Sequence, residues 1–337
     1  MEVFFDIDEI SNIKCEVGAT IGTFDGLHIG HEKVIKSMVD KCKKDGIKSV
    51  VFTFSNIPRE VIRNQEVKNI ISLDEKVRLI NQMDVDYLIL IEFNKQHMNI
   101  SAEEFIENVL LSHLDVKHLV IGYDFRFGKN AKGNIDLLAR MQNEYNYTLD
   151  IIDPIVVDDM RVSSTLIRKL LSEGNINEAN KFLGRRHYYR SIVMPGKQIG
   201  AKLGFPTANL KIDKSMHTLK SGVYATQVLT KNKRYDSITN VGFNPTFNQN
   251  KLNFETYIFD FSGDLYNKEI IVEFIQRLRD EIKFNSKEEL SEQIKHDIKK
   301  ANNIFNSLRE WIIMLEWIVK YLILSFSILQ RFTGNSV

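Results

Sequence analysis

Apolar and polar positions change rhythm twice along this chain. In the first half, short apolar runs alternate with segments of helical period. VGATIGTF (17–24), IKSVVFTF (47–54), VDYLILIEF (85–93) and VKHLVIGYDF (116–125) predict strands. HEKVIKSMVDKCKKDG (31–46), SLDEKVRLINQM (72–83) and SAEEFIENVLLSHL (101–114) carry apolar residues at helical spacing. Ser72 and Ser101 are placed as N-caps, and Ser101 with Glu104 reads as a capping box. Such alternation predicts an α/β domain with a parallel sheet and helices on both faces. Ligands of such sheets sit outside the carboxyl ends of the strands.

After about residue 184 the rhythm shortens. GVYATQVLT (222–230), YDSITNVGF (235–243), LNFETYIFDF (252–261) and EIIVEFIQRLR (269–279) predict strands rich in β-branched and aromatic residues. They suggest a compact antiparallel β-barrel followed by a helix. Asn285 or Ser286 caps that helix, Glu289 completes a capping box, and Leu290, Ile294, Ile298 and Ala301 form one stripe. The pattern alone divides the chain into 1–183, 184–303 and an apolar remainder, 304–337.

Composition narrows the classes. The 337 residues are 43% hydrophobic and 26% charged, as in ordinary soluble proteins. Lys and Arg number 45 against 44 Asp and Glu, so no global basic field argues for a nucleic-acid partner. Cys15 and Cys42 form no CxxC pair, which excludes a disulfide framework and a Cys-rich zinc site. The first residues, MEVFFDIDEI, carry no signal pattern, and a cytoplasmic location is expected.

Three segments of the first half carry chemistry. IGTFDGLHIGHEKVI (21–35) reads as strand, glycine turn and helix start. His28 and His31 would share a face of the first helical turn, Gly30 clears room for a phosphate, and Gly22, Asp25 and Gly26 lie just upstream. Two imidazoles there can donate to phosphate charge that develops in a transition state. In VIGYDFRFGKN (120–130), Asp124 and Arg126 alternate with Phe125 and Phe127, which suits an aromatic ring with a charged group. RVSSTLIRKLL (161–171) begins a helix capped by Ser163 or Ser164, with Arg168 about one turn in. Each of these alone also fits a plain turn or capped helix.

In the second half, GKQIGAKLGFPTANL (196–210) is not a Walker A loop, since Ala201 stands where its second glycine would be. Gly196, Gly200 and Gly204 leave backbone N–H groups uncovered, while Lys197 and Lys202 add charge for phosphate. Thr207 and Asn209 offer hard oxygens suited to Mg2+ beside phosphates. In LNFETYIFDF, Glu255 shares a strand face with Tyr257, Phe259 and Phe261. A carboxylate at the end of an apolar face either reaches water or serves as a base tuned by a partly dry pocket.

Taken together, GTFDGLHIGH, GYDFRFG and VSSTLIR resemble the Rossmann-like nucleotidylyltransferase module of the prokaryotic bifunctional riboflavin kinase/FMN adenylyltransferases (FAD synthetases). LGFPTANL, SGVYAT (221–226), NVGFNPTF (240–247), FETYIFDF and RLRDEIKF (277–284) resemble the kinase module of the same family. The resemblance covers about residues 15–302. It implies phosphorylation of riboflavin to FMN and adenylylation of FMN to FAD, both with ATP and Mg2+. It also implies site roles: His28 and His31 hold the ATP phosphates, assisted by Ser164 and Arg168, and Asp124, Phe125 and Arg126 border nucleotide and flavin. In the second module Thr207 and Asn209 bind Mg2+–ATP, Glu255 is the base, and Arg279 helps hold the flavin nucleotide.

Departures are local. The family usually carries a Glu-Pro-His-Pro-like run after the second strand; here Ser55, Asn56, Ile57 and Pro58 follow VFTF. Pro195, Ala201 and Asn244 stand where histidine, a basic residue and arginine are common. The altered run leaves a kinase-only chain as the alternative, and a flavin-binding regulator as a more remote one. The tail WIIMLEWIVKYLILSFSILQRF (311–332) lies beyond the resemblance. Three readings stay open for it: a helix packed on the enzyme or used in self-association, a membrane-contacting anchor, or a non-native extension.

Overall fold

The computed structural model describes residues 1–11, 13–196, 200, 203–231, 233–246 and 249–333. The chain forms two compact units: Met1–Arg186 with Asp213–Leu219, and His187–Ile212 with Lys220–Val337.

The first unit is built on a six-stranded sheet. Its strands are β1 (Glu2–Phe4), β2 (Val17–Ile21), β3 (Lys48–Phe54), β4 (Tyr87–Ile91), β5 (Val116–Gly122) and β6 (Thr148–Ile152). The order is β1-β4-β3-β2-β5-β6 and every neighbouring pair is parallel. The chain proceeds from β2 outward through β3 to β4, then returns to place β5 on the other side of β2. That reversal opens a crevice at the carboxyl ends of β2 and β5. β2 is buried at all five positions, as a strand covered on both faces must be.

Sequence periodicity did not reveal β1 or β6, and it overran β2 and β5, whose last predicted residues leave the sheet as turns. The predicted helix 101–114 is a short capped turn, Ala102–Glu104, continuing as a π-helical stretch, Phe105–His113. Its capping box is present: Glu104 N–H donates to Ser101 Oγ (3.1 Å) and Ser101 N–H to Glu104 Oε2 (2.8 Å).

The second unit is a closed antiparallel barrel. Its strands are β9 (His187–Met194), β10 (Thr207–Lys211), β11 (Gly222–Leu229), β12 (Arg234–Thr246), β13 (Gln249–Ile258) and β14 (Glu269–Arg279), in the order β10-β13-β12-β11-β14-β9. (β7, Val156–Val157, and β8, Met160–Arg161, form a small hairpin in the first unit.) Tyr189, Tyr224, Phe254 and Phe274 make edge-to-face ring contacts and fill the interior. Thr226, Ser237, Thr239 and Thr256, all fully buried, satisfy one another through hydroxyl contacts of 2.8–2.9 Å.

The opposite side of the strands carries Val223, Ala225, Ile238 and Ile275. The terminal helix packs there through Ile294, Ile298, Ala301 and Phe305. Arg279 clamps this helix: its Nε and Nη2 donate to the buried Asp297 carboxylate at 2.7–3.0 Å, and Nη1 donates to Asp280 O. Ser286 caps it by accepting from Glu289 N–H. The helix does not stop near 303 but runs unbroken from Lys287 to Thr333. Phe305 is buried, Leu308 packs on the same cluster, and Arg309 donates to Asp236 on β12 (2.7 Å). Beyond Arg309 the helix is an exposed apolar rod, with Trp311 61% and Trp317 67% exposed. Among the described residues, no helix is long and apolar enough to cross a membrane.

A chain ending at Arg309 should keep the thermal unfolding midpoint of the second unit, because every barrel contact of the helix is retained. Phe305→Ala should destabilise that unit by about 3–5 kcal/mol through the cavity it leaves. Thermal and urea unfolding of the two variants check both outcomes.

Candidate active sites

The turn after β2 is held by its carbonyl groups. Thr23 O accepts from Lys76 Nζ (3.0 Å) and from Thr53 Oγ1 (3.1 Å). Phe24 O accepts from Leu27 N–H (3.3 Å). Asp25 O accepts from Ser164 Oγ (2.8 Å), Gly26 O from Arg185 Nη2 (2.6 Å) and Leu27 O from Arg185 Nη1 (2.7 Å). Five successive carbonyls are thus turned toward the protein. The backbone at Phe24 (φ 46°), Gly26 (φ 80°) and Leu27 (φ 38°) is left-handed, a conformation that Phe and Leu adopt only when surrounding contacts impose it. Phe24 and Leu27 are both buried, which supplies part of that constraint.

The turn delivers His28 as N-cap of the helix Ile29–Asp45, its Nδ1 accepting from His31 N–H (3.3 Å). An accepting Nδ1 leaves Nε2 as the donor of the neutral ring. The two imidazoles stack, with centroids 3.5 Å apart and planes 18° from parallel. His31 Nδ1 is buried with no hydrogen-bond partner among the described residues. Burial holds both rings neutral: it lowers His28 to about 4, and it pulls His31 well below the usual histidine range, helped by His28.

Asp25, 2% exposed, forms an ion pair with Arg168 and accepts from Ile70 N–H (3.0 Å). Burial raises its carboxyl, while Arg168, the Ile70 N–H and Lys76 pull the other way. Lys76 is equally buried; burial brings it down to about 8, against the attraction of Asp25. Its ammonium also donates to Phe54 O (2.9 Å), so one cation ties the ends of β2 and β3. Ser163 caps the helix Ser164–Glu173 by accepting from Leu166 N–H (3.2 Å). Arg168 Nε donates to Lys68 O, and its own carbonyl lies 3.0 Å from His217 Nε2.

All of this borders one cavity of about 990 Å3. Gly22, Asp25, His28, Gly30, His31, Ser164 and Arg168 line one part of it; Asp124, Phe125, Arg126 and Phe127 line another. Phe125 and Phe127 stack at 5.2 Å, and Arg161 donates to Asp124 (3.3 Å) while lying over the Tyr123 ring. Phe54, Phe93 and Phe105 add to an aromatic slot.

In the second unit, strand register aligns Asn209, Glu255 and Asn240 across β10, β13 and β12. Directly opposed residues share a face, so these three side chains stand in a row, with Thr207 and Tyr257 one pair along. The row lies on the face that the terminal helix covers, next to Ile238 and Tyr257. Glu255 Oε1 accepts from Asn253 Nδ2 (2.8 Å). Gly196 lies so close to Asn209 that a Cβ would fall 2.1 Å from its amide nitrogen, and Gly204 (φ 85°) needs the left-handed turn before Thr207. Gly200 O accepts from Phe205 N–H, closing that turn. Lys197, Ala201 and Lys202 lie outside the described residues. Arg279, expected at the flavin nucleotide, is engaged with Asp297 and Asp280, as described above.

Comparison with known proteins bears on both sites. The family model for FAD synthetase matches residues 10–166, and the model for riboflavin kinase matches residues 183–305. A bifunctional riboflavin kinase/FMN adenylyltransferase of Buchnera aphidicola (subsp. Schizaphis graminum) is 35% identical, over 91% of this chain and 99% of its own. The Escherichia coli K12 protein of the same name is 32% identical over 85% of this chain and 92% of its own. The chain belongs to the bifunctional riboflavin kinase/FMN adenylyltransferase family. A crystal structure from Streptococcus pneumoniae, named as a macrolide-efflux protein, is 28% identical with a TM-score of 0.81, covering 90% of this chain and 99% of that one. The likeness supports the shared architecture of both units.

Several residues of this family member's sites escaped the sequence. Lys76 and Arg185 act through backbone carbonyls far away in the chain, and Asn240 and Asn253 reach Glu255 only through strand pairing. Lys76 sits in SLDEKVRLI, where a lysine reads as the wet side of an amphipathic helix; the one available signal was that it follows a capped turn.

The neutral His28 gives a signed pH dependence. Its unfolded value is near 6.5 and its folded value about 4, so the unfolded chain takes up the proton first as pH falls. This contribution to stability is fully present above about 6.5 and is lost toward 4. Urea unfolding of the first unit between pH 7 and 4.5 should therefore show a steeper loss for the parent than for His28→Asn. Equal slopes would contradict the buried neutral imidazole.

Proposed function

We propose that the first unit transfers AMP from ATP to FMN with release of pyrophosphate, and that the second phosphorylates riboflavin. The observation that carries the first assignment is the stacked, neutral His28–His31 pair at a helix N-terminus whose preceding turn has every carbonyl drawn inward. Phosphate entering there meets N–H donors and the helix dipole. His28 Nε2–H and His31 donate to the charge that builds as pyrophosphate leaves. Ser164 fixes the turn, and Asp25 positions Arg168, whose guanidinium turns from carboxylate to phosphate when ATP arrives. Asp25 acts through Arg168, since a carboxylate repels phosphate. Asp124, Phe125 and Arg126 border the flavin side of the cavity.

In the second unit Glu255 takes the proton from the terminal ribityl hydroxyl of riboflavin as that oxygen attacks the γ-phosphorus of ATP. Asn253 holds the carboxylate. Thr207 and Asn209 supply one hydroxyl and one amide oxygen, a sparse hard set that fits Mg2+ sharing its sphere with phosphates and water. Among the described residues no cluster of His, Cys, Asp or Glu could cage a metal by itself, in keeping with an ion that arrives with the nucleotide. Mg2+ would neutralise phosphate charge; Gly196, Gly200 and Gly204, with Lys202, would cradle the phosphates. Arg279 would hold the wall of the flavin site by fastening the terminal helix. Both reactions use small cytoplasmic substrates. The apolar rod beyond Arg309 is fitted to a membrane surface or to self-association, and neither enters the chemistry.

Two substitutions test the separation of sites. Glu255→Ala should lower FMN formation by at least about a hundredfold and leave FAD formation from supplied FMN intact. His31→Ala should do the reverse. Loss of both activities in either folded variant would refute two independent centres.

A further inference from the structure

The cavity of the first unit contains one imidazole that the chemistry above does not use. His97 lines it beside Phe54, Phe93 and Met98, and its Nδ1 is buried with no hydrogen-bond partner among the described residues. The residue is held from both sides. Its backbone N–H donates to Asn94 Oδ1 (3.1 Å), and its ring lies 6.4 Å from that of Phe93, tilted by 33°. Phe93 is itself pinned: its N–H donates to Asn56 Oδ1 (2.8 Å), and its carbonyl accepts from Asn56 Nδ2 (2.9 Å). Asn56 belongs to the Ser55–Pro58 run, in which the histidine expected after β3 is absent and Ile57 lines the cavity instead. The segment that lacks an imidazole therefore builds the seat of another one, carried by the loop after β4.

We propose that His97 is a specificity-determining residue for the adenylyl acceptor, hydrogen-bonding the heteroatom edge of the flavin ring while the Phe54 and Phe93 rings pack beside it. The inference rests on the assignment of this unit to FMN. A buried ring nitrogen without a partner is costly, and a ligand that supplies the missing bond recovers that cost. Flavin is flat and apolar on its faces but carries carbonyl oxygens, ring nitrogens and an N–H along one edge. An imidazole in an aromatic slot matches both properties, since it can donate or accept. ATP phosphates are served by His28 and His31 in another part of the cavity, so His97 should discriminate at the acceptor alone.

The test is steady-state kinetics of FAD formation from supplied FMN, with full-length parent, His97→Phe and His97→Gln. His97→Phe keeps the packing and removes the polar edge. It should raise KM for FMN about tenfold, the worth of one good hydrogen bond, with KM for ATP changed less than about twofold. His97→Gln should restore much of the loss. Riboflavin phosphorylation by the same samples reports folding. An unchanged KM for FMN in His97→Phe, or equal rises for FMN and ATP, would overturn the proposal. Failure of the parent itself to form FAD would instead overturn the assignment of the unit.

Discussion

The first site depends on one constraint: the carbonyls of residues 23–27 must point into the protein. A tight turn with left-handed Phe24 and Leu27 is unfavourable by itself, by about 1–3 kcal/mol per such residue. It persists because Lys76, Thr53, Ser164 and Arg185 each take a carbonyl. The consequences run outward in order. His28 is delivered in extended backbone as an N-cap, His31 stacks on it, and the first turn of the helix faces the cavity with its donors free. Lys76 and Arg185 thus act on phosphate through geometry as much as through charge.

The second site obeys a different constraint, strand register. Nothing local unites Asn209, Asn240 and Glu255; pairing of β10 with β13 and β13 with β12 does. A slip of one residue would turn Glu255 into the aromatic interior. Interior packing of Tyr189, Tyr224, Phe254 and Phe274 therefore fixes the catalytic face as well as the stability of the barrel. The terminal helix, fastened by Arg279–Asp297, covers the same outer face.

Much of this was legible in the sequence. Parallel alternation, the barrel and the segments that carry the chemistry follow from periods and turn residues that local physics controls. β1 escaped because three residues carry no measurable period, and β6 because Thr148–Ile152 is only partly buried. β9 and β10 flank the glycine loop and read as its continuation. The end of the terminal helix was misplaced because Phe305 and Leu308 extend the packed stripe past residue 303, and the apolar tail behind them has no stop signal. The buried ionic network around Asp25, Arg168 and Lys76 was invisible for a plainer reason. Its members lie 45–143 residues apart, and each bond joins a side chain to a distant carbonyl or carboxylate.

Arg185 offers the cleanest probe of the preorganised turn, because it holds Gly26 and Leu27 without lining the cavity. The decisive measurement is kcat/KM for ATP in FAD formation from supplied FMN, comparing parent with Arg185→Ala, and riboflavin phosphorylation measured beside it. Loss of the two carbonyl bonds should lower that value by about 10–100-fold while riboflavin phosphorylation persists. Unchanged FAD formation in a folded Arg185→Ala protein would contradict the claim that captured carbonyls build the phosphate site.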